Sequence, residues 1–162
     1  MLFRSEAHKG SMSSTAFHFN QQVLNDGACR LFEGTDGYAH GEQQRDFVYV
    51  GDCAQVNLWF MDHPEHRGIF NLGTGRAQTF NEVAQAVLHW HAQHRGVQGK
   101  VAYIPFPAHL QGAYQSYTQA DLSALRSVGC DQRFMTVAEG VSDRKSTRLN
   151  SSHTDISRMP SS

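Results

Sequence analysis

Apolar positions fall into two rhythms along this chain. Met12, Ala16, Phe19 and Val23 recur at helical spacing from Ser11 to Asn25, and Asn25-Asp26-Gly27 ends that run. Phe80, Val83, Ala84, Val87, Leu88 and His91 form a second helical stripe. It opens with Thr79-Phe80-Asn81-Glu82, a capping box in which hydroxyl and carboxylate satisfy each other's backbone amides. The apolar run from Cys53 to Met61 predicts a further helix, and Thr118 to Val128 a short one ended by Gly129. Thr136-Val137-Ala138-Glu139 is another capping box. Aromatic and β-branched runs predict strands over Cys29–Phe32, Asp46–Val50, Ile69–Leu72 and Val101–Phe106. Gly51 breaks the second strand, and Asp52 can accept from the free amides opening the next helix. The polar stretch 36–44 reads as a surface loop, and His63–Gly68 as a turn.

Strands alternating with helices of ten or more residues predict an α/β fold. Three or four strands are few for a self-sufficient open sheet, so the chain is expected to be part of something larger. The patterned region spans 8–143. Residues 1–7 carry no clear pattern, and Arg144 to Ser162 is rich in serine and arginine with little apolar periodicity, so the tail is expected to be disordered.

With 162 residues the chain has the size of roughly one domain with a real core. A formal net charge of -1, with scattered basic residues, gives no electrostatic case for nucleic acid or an anionic membrane. No apolar run approaches the roughly 18 residues of a membrane span, and the N-terminus lacks a signal-peptide core. Cys29, Cys53 and Cys130 are far apart with no C-x-x-C, which predicts free, partly buried thiols in a reducing cytoplasm.

Few side chains carry candidate chemistry. Arg45, at the mouth of the 46–50 strand, can reach solvent and fork onto a phosphate, or it can pair with Asp46 at the surface. Lys9, between His8 and Gly10 just before a helix, faces the positive end of a dipole that favours its neutral, basic form; it can equally be an exposed lysine. His91 and His94 share a helix face as metal ligands would, but no cysteine or carboxylate lies nearby to complete a site, and solvated helix histidines are the alternative; no metal is expected. Gly73-Thr74-Gly75 follows a strand as a dinucleotide fingerprint does, yet Gln78 stands where the third glycine belongs, which favours glycines serving a sharp turn.

Arg45-Asp46-Phe47-Val48-Tyr49-Val50-Gly51-Asp52, taken with Phe70-Asn71-Leu72-Gly73-Thr74-Gly75, resembles the C-terminal half of the NAD(P)-dependent sugar epimerases and dehydratases, the extended short-chain dehydrogenases. The segments His8-Lys9-Gly10-Ser11-Met12, Ala16-Phe17-His18, Leu31-Phe32-Glu33-Gly34, Tyr103-Ile104-Pro105-Phe106-Pro107 and Tyr114–Leu122 resemble the ADP-heptose 6-epimerase branch of that family. The likeness runs from about His8 to Val141, about half of a full family enzyme. It implies the substrate-binding portion of a Rossmann-type fold, in a homo-oligomeric enzyme making heptose for the lipopolysaccharide core.

By the same resemblance, Lys9 falls on a lysine that contacts the cofactor and serves as a base. Ser11, His18 and Tyr114 fall on substrate contacts, and Phe32-Glu33-Gly34-Thr35 on the segment lining the ADP-sugar site, with Thr35 in place of a serine. Arg45 falls on the arginine that reaches the nucleotide-sugar; Ala113 stands where some relatives are basic. Gly73 and Gly75 belong to the shared fold. The implied chemistry uses NADP, bound mainly by the other half: hydride leaves C6″ of the heptose and returns to the opposite face. Two family features are absent, the Gly-rich βα turn and Tyr-x-x-x-Lys, so the chain alone is expected to be inactive. Residues 1–6 and the chain beyond about Arg144 leave the family pattern and are expected to be foreign sequence, which terminal peptides of the source protein would check. The alternatives are a binding module without catalysis, which an in-frame Rossmann half encoded upstream of Met1 would exclude, and another nucleotide-sugar epimerase or dehydratase.

Overall fold

A computed structural model describes residues 13–143. Lys9, Ser11, the lead 1–7 and the tail 144–162 lie outside the described residues. Helix α1 (Thr15–Asp26) starts at Thr15 rather than at Ser11, because Ser14 supplies the cap: its hydroxyl accepts from the Phe17 amide at 3.3 Å. The helix ends as expected at Gly27, whose φ of 65° is the left-handed conformation that stops a helix. Strand β1 (Ala28–Phe32) follows and runs parallel to the last strand, β4 (Lys100–Ile104), in register from Ala28 opposite Lys100 to Phe32 opposite Ile104.

Between them, β2 (Gln44–Arg45) pairs antiparallel with β3 (Gln78–Thr79). Residues 116–118 flank the other side of β2: the Gln44 amide donates to Ser116 O at 2.9 Å, and the Thr118 amide to Gln44 O at 3.2 Å. This corrects the reading of Thr118 onward as helix. Residues 118–120 are held along β2, and helix α4 is confined to Ser123–Ser127, where the Asp121 carboxylate accepts from the Ser123 amide at 2.9 Å.

The expected strand over Asp46–Val50 does not form. The ladder ends at Arg45, and helix α2 (Val50–Asp62) begins at the position assigned to the strand's end. The aromatic pattern there serves packing instead. Phe47 meets Phe80 edge to face at 5.4 Å, and Tyr49 is the residue before α2 with its hydroxyl donating to Asp143. Asp52 is not the cap; it lies buried in the first turn and accepts from the Met135 amide at 2.8 Å. Ile69–Leu72 is likewise no strand. Phe70 and Leu72 pack inward, but Ile69 is 98% exposed and no described strand lies alongside to make a ladder.

Helix α3 (Phe80–Arg95) matches its stripe. The capping box is complete, and Val83, Ala84, Val87, Leu88, Trp90 and His91 are buried. The apolar residues among these join Phe19 and Val23 of α1 and Cys29 and Leu31 of β1 in the main core. A smaller cluster gathers Val56, Leu125 and Cys130 under Trp59, Phe60, Phe70, Leu72, Leu122 and Phe134. No disulfide links Cys29, Cys53 and Cys130, and Cys29 and Cys130 are buried. Among the described residues no helix is long and apolar enough to cross a membrane.

The box at Thr136 also forms. The Thr136 amide donates to Glu139 Oε2 at 2.7 Å, and the Glu139 amide to Thr136 Oγ1 at 3.3 Å, opening a helix over 137–143. The hydrogen bond from Arg133, and those from Thr136, lower the Glu139 carboxyl to about 2. A depressed carboxyl contributes stability that is full above its ordinary value of 4.5 and is lost as pH falls toward the folded value. Glu139→Gln is therefore expected to lower the urea midpoint by a constant amount above about pH 4.5, with the gap closing toward pH 2. A gap unchanged through that range would show that Glu139 carries no such linkage.

Candidate functional site

Parallel β1 and β4 end at the same edge, and in open α/β sheets that carboxyl edge is where ligands sit. Phe32 closes β1; Phe106 follows β4 between Pro105 and Pro107. Tyr114 comes back to them after a 3-10 turn at Ala108–Leu110. The three rings meet edge to face, with Phe32 5.4 Å from Phe106 and 6.3 Å from Tyr114, and Phe106 5.3 Å from Tyr114. Arg45, at the end of β2, lays its guanidinium over the Tyr114 ring, 5.0 Å from the centroid. Such a stack fixes the planar fork while leaving its edge N–H groups available.

The loop after β1 is held by its own backbone. The Glu33 amide extends the β1–β4 ladder to Ile104 O at 2.9 Å, and buried Gln43 donates to Glu33 O at 3.1 Å. The Gly34 amide donates to His40 Nδ1 at 2.9 Å, and Thr35 O accepts from the Tyr38 amide at 3.0 Å. Asp36, in the left-handed region at φ 54°, accepts from Ser116 Oγ at 2.6 Å and so joins this loop to the one bearing Tyr114. A Cβ on Gly34 would come within 2.1 Å of Tyr38 O and 3.0 Å of the Ala39 carbonyl carbon, both backbone. Gly34→Ala is thus expected to displace the loop and destabilise the chain by roughly 1–3 kcal/mol, read from urea midpoints. An unchanged midpoint would contradict this packing.

Electrostatics favour an anion beside Arg45. Among the described residues no carboxylate pairs with it; Nη1 donates only to Gln44 O, at 3.2 Å. The surface pairing with Asp46 does not form, because Asp46 accepts from Thr74, Gly75 and Ala120 instead. Burial pushes the Tyr114 phenol up, and Arg45 draws it part of the way back, so Tyr114 stays a neutral hydroxyl able to donate at neutral pH.

Of the expected site residues, the structure brings Phe32 and Arg45 each against Tyr114, with Glu33, Gly34 and Thr35 following Phe32 in the adjoining loop. His18 sits on α1 against Phe17, 6.0 Å ring to ring, and no described contact joins it to that group. The sequence pattern gives Phe106 and Gln43 no part in the site, and gives Asp46 only the surface pairing with Arg45. An aromatic residue between two prolines at a strand exit was a legible signal for Phe106; a buried glutamine in a polar run gave none.

The histidines and the Gly-Thr-Gly turn have structural duties. His91 is not solvated: it lies in the core with Nε2 2.9 Å from Asn20 Oδ1, while His94 stacks on Trp90 at 4.7 Å. Among the described residues no three His, Cys, Asp or Glu side chains are grouped to hold a metal ion. The amides of Thr74 and Gly75, which a dinucleotide phosphate would need, are bonded to Asp46 at 2.7 and 2.9 Å. The Gly73–Gly75 turn therefore does not fit a dinucleotide cofactor's pyrophosphate.

Comparison with known proteins agrees with this architecture. Residues 3–73 match the model of the NAD dependent epimerase/dehydratase family. The chain is 57% identical over 136 residues to an ADP-L-glycero-D-manno-heptose-6-epimerase from Alkalilimnicola ehrlichii, covering 84% of this chain and 41% of that protein. Among solved structures, the Helicobacter pylori ADP-L-glycero-D-manno-heptose-6-epimerase superposes with a TM-score of 0.64 at 26% identity, over 92% of this chain and 40% of that one. The Thermus thermophilus UDP-glucose 4-epimerase, solved with NAD, gives 0.58 at 26% identity, over 79% of this chain and 37% of that one. The chain thus spans about two fifths of the length of the relatives it matches.

Proposed function

We propose that the chain belongs to the NAD dependent epimerase/dehydratase family and is the substrate-side part of an ADP-heptose 6-epimerase. The whole enzyme inverts C6″ of the sugar in the cytoplasm and supplies heptose for the lipopolysaccharide core. The observation that carries the reading is Arg45, spread over Tyr114 beside Phe32 and Phe106 with no carboxylate partner among the described residues. A forked cation suits the diphosphate of a nucleotide-sugar, and the apolar rings beside it shield that contact from water.

NADP supplies the redox chemistry in this reading and is held mainly by the other part of the enzyme. Lys9 contacts it and serves as a base, and Ser11 and His18 contact the sugar. This chain's share of the work is recognition. Arg45 neutralises the diphosphate, Tyr114 orients the fork and donates from its neutral hydroxyl, and the Phe32–Thr35 segment lines the ADP-sugar.

Calorimetric titration of ADP-mannose and UDP-glucose into the 162-residue chain tests this. Saturable binding of ADP-mannose in preference to UDP-glucose is expected. Preference for UDP-glucose would move the chain to another nucleotide-sugar enzyme. A cooperatively melting chain that binds neither would overturn the reading.

A further inference from the structure

Asp46 is the most heavily bonded side chain near the site, and the proposed chemistry does not use it. Oδ1 accepts from the Thr74 amide at 2.7 Å and from Thr74 Oγ1 at 2.6 Å. Oδ2 accepts from the Gly75 amide at 2.9 Å and the Ala120 amide at 3.1 Å. A carboxylate has about four acceptor positions, and these four donors fill them. The packing is close enough that a Cβ on Gly73 would lie 2.6 Å from Oδ2 and 2.7 Å from the Ala120 methyl. That is the physical need for glycine in the Gly-Thr-Gly turn: it wraps an internal carboxylate.

We propose that Asp46 is a positioning residue for Arg45: by tying β2 to the Gly73–Gly75 turn and to residues 118–120, it fixes the guanidinium over Tyr114 and keeps its own charge away from it. This rests on the reading of Arg45 as the diphosphate ligand. Two consequences come from one contact set. First, the segments that deliver Arg45 and Tyr114 are held in register, since the Thr118 amide bonds Gln44 O and the Ala120 amide bonds Asp46. Second, a carboxylate adjacent in sequence to a phosphate-binding arginine would otherwise compete with the phosphate for it. Saturating that carboxylate with four internal donors leaves the cation to the ligand.

Asp46→Asn tests this with no change of size. Whichever oxygen becomes the amide nitrogen, at least one backbone amide loses its acceptor and faces an N–H group. With ADP-mannose as probe, Asp46→Asn is expected to raise Kd roughly tenfold with the melt still cooperative. Because Asp46 acts through Arg45, the double variant with Arg45→Ala binds no more weakly than Arg45→Ala alone. Thr74→Val, which removes the Oγ1 bond to Asp46 along with the acceptor of the Arg76 amide inside the same turn, weakens binding several-fold, and Thr74→Ser restores it; this pair carries the test if Asp46→Asn does not fold. The proposal falls if Arg45→Ala weakens binding while Asp46→Asn and Thr74→Val bind as wild type, or if the Asp46 and Arg45 losses add in full. If Arg45→Ala itself binds as wild type, the diphosphate reading has failed and this proposal goes with it.

Discussion

Arg45→Ala is expected to raise the Kd for ADP-mannose by roughly 10- to 100-fold, the equivalent of about 1.5–3 kcal/mol for hydrogen bonds to a charged group. Arg45 is partly buried, its guanidinium lies over the Tyr114 ring, and no carboxylate among the described residues pairs with it, so no internal ion pair is lost with it. The loss should fall on the phosphate contact and leave the melting temperature nearly unchanged. Lysine should rescue only in part, because an ammonium neither forks onto two oxygens nor stacks on the ring in the same way. Full affinity in the alanine variant would mean the diphosphate lies elsewhere.

Leu125→Ala should produce the largest stability change, a loss of roughly 2–5 kcal/mol. Leu125 is 1% exposed in the smaller cluster, where only Val56 and Cys130 are equally buried. The surrounding wall already borders a cavity of about 340 Å³ lined by Val56, Phe60, Phe70 and Leu125 itself. A site next to open volume has fewer neighbours to close over the lost methyl groups, so the removed contacts are not remade. In a thermal melt the loss appears as a drop of roughly 5–15 °C. A shift under about 2 °C would show that this cluster contributes little to the cooperative unit.

What could be read from the sequence was what is decided locally. Thr79 and Glu82, or Thr136 and Glu139, sit three residues apart, and each pair fixes a helix start by itself. Gly27 ends α1 and Gly96 ends α3 through left-handed conformations at those single positions, so helix ends near them were legible. Strands depend on partners distant in sequence. The runs 46–50 and 69–72 have strand composition, but pairing decides the outcome, and at Asp46 side-chain acceptance from residues 28 to 74 positions away takes the place of a ladder. The same separation hid the aromatic group. Phe32, Phe106 and Tyr114 meet only because parallel β1 and β4 end together, which no spacing within one segment reveals. Arg45 was legible as a phosphate-seeking residue from its type and context; that its neighbour's charge is consumed elsewhere was not.

The most direct measurement is a crystal structure of the 162-residue chain grown with ADP-mannose. The diphosphate is expected within hydrogen-bond distance of both terminal nitrogens of Arg45, with the guanidinium still over Tyr114 and Phe32 and Phe106 beside the ligand. A diphosphate bound at the Gly73–Gly75 turn, or anywhere that leaves Arg45 without a phosphate contact, would contradict the assignment of this edge as the nucleotide-sugar site.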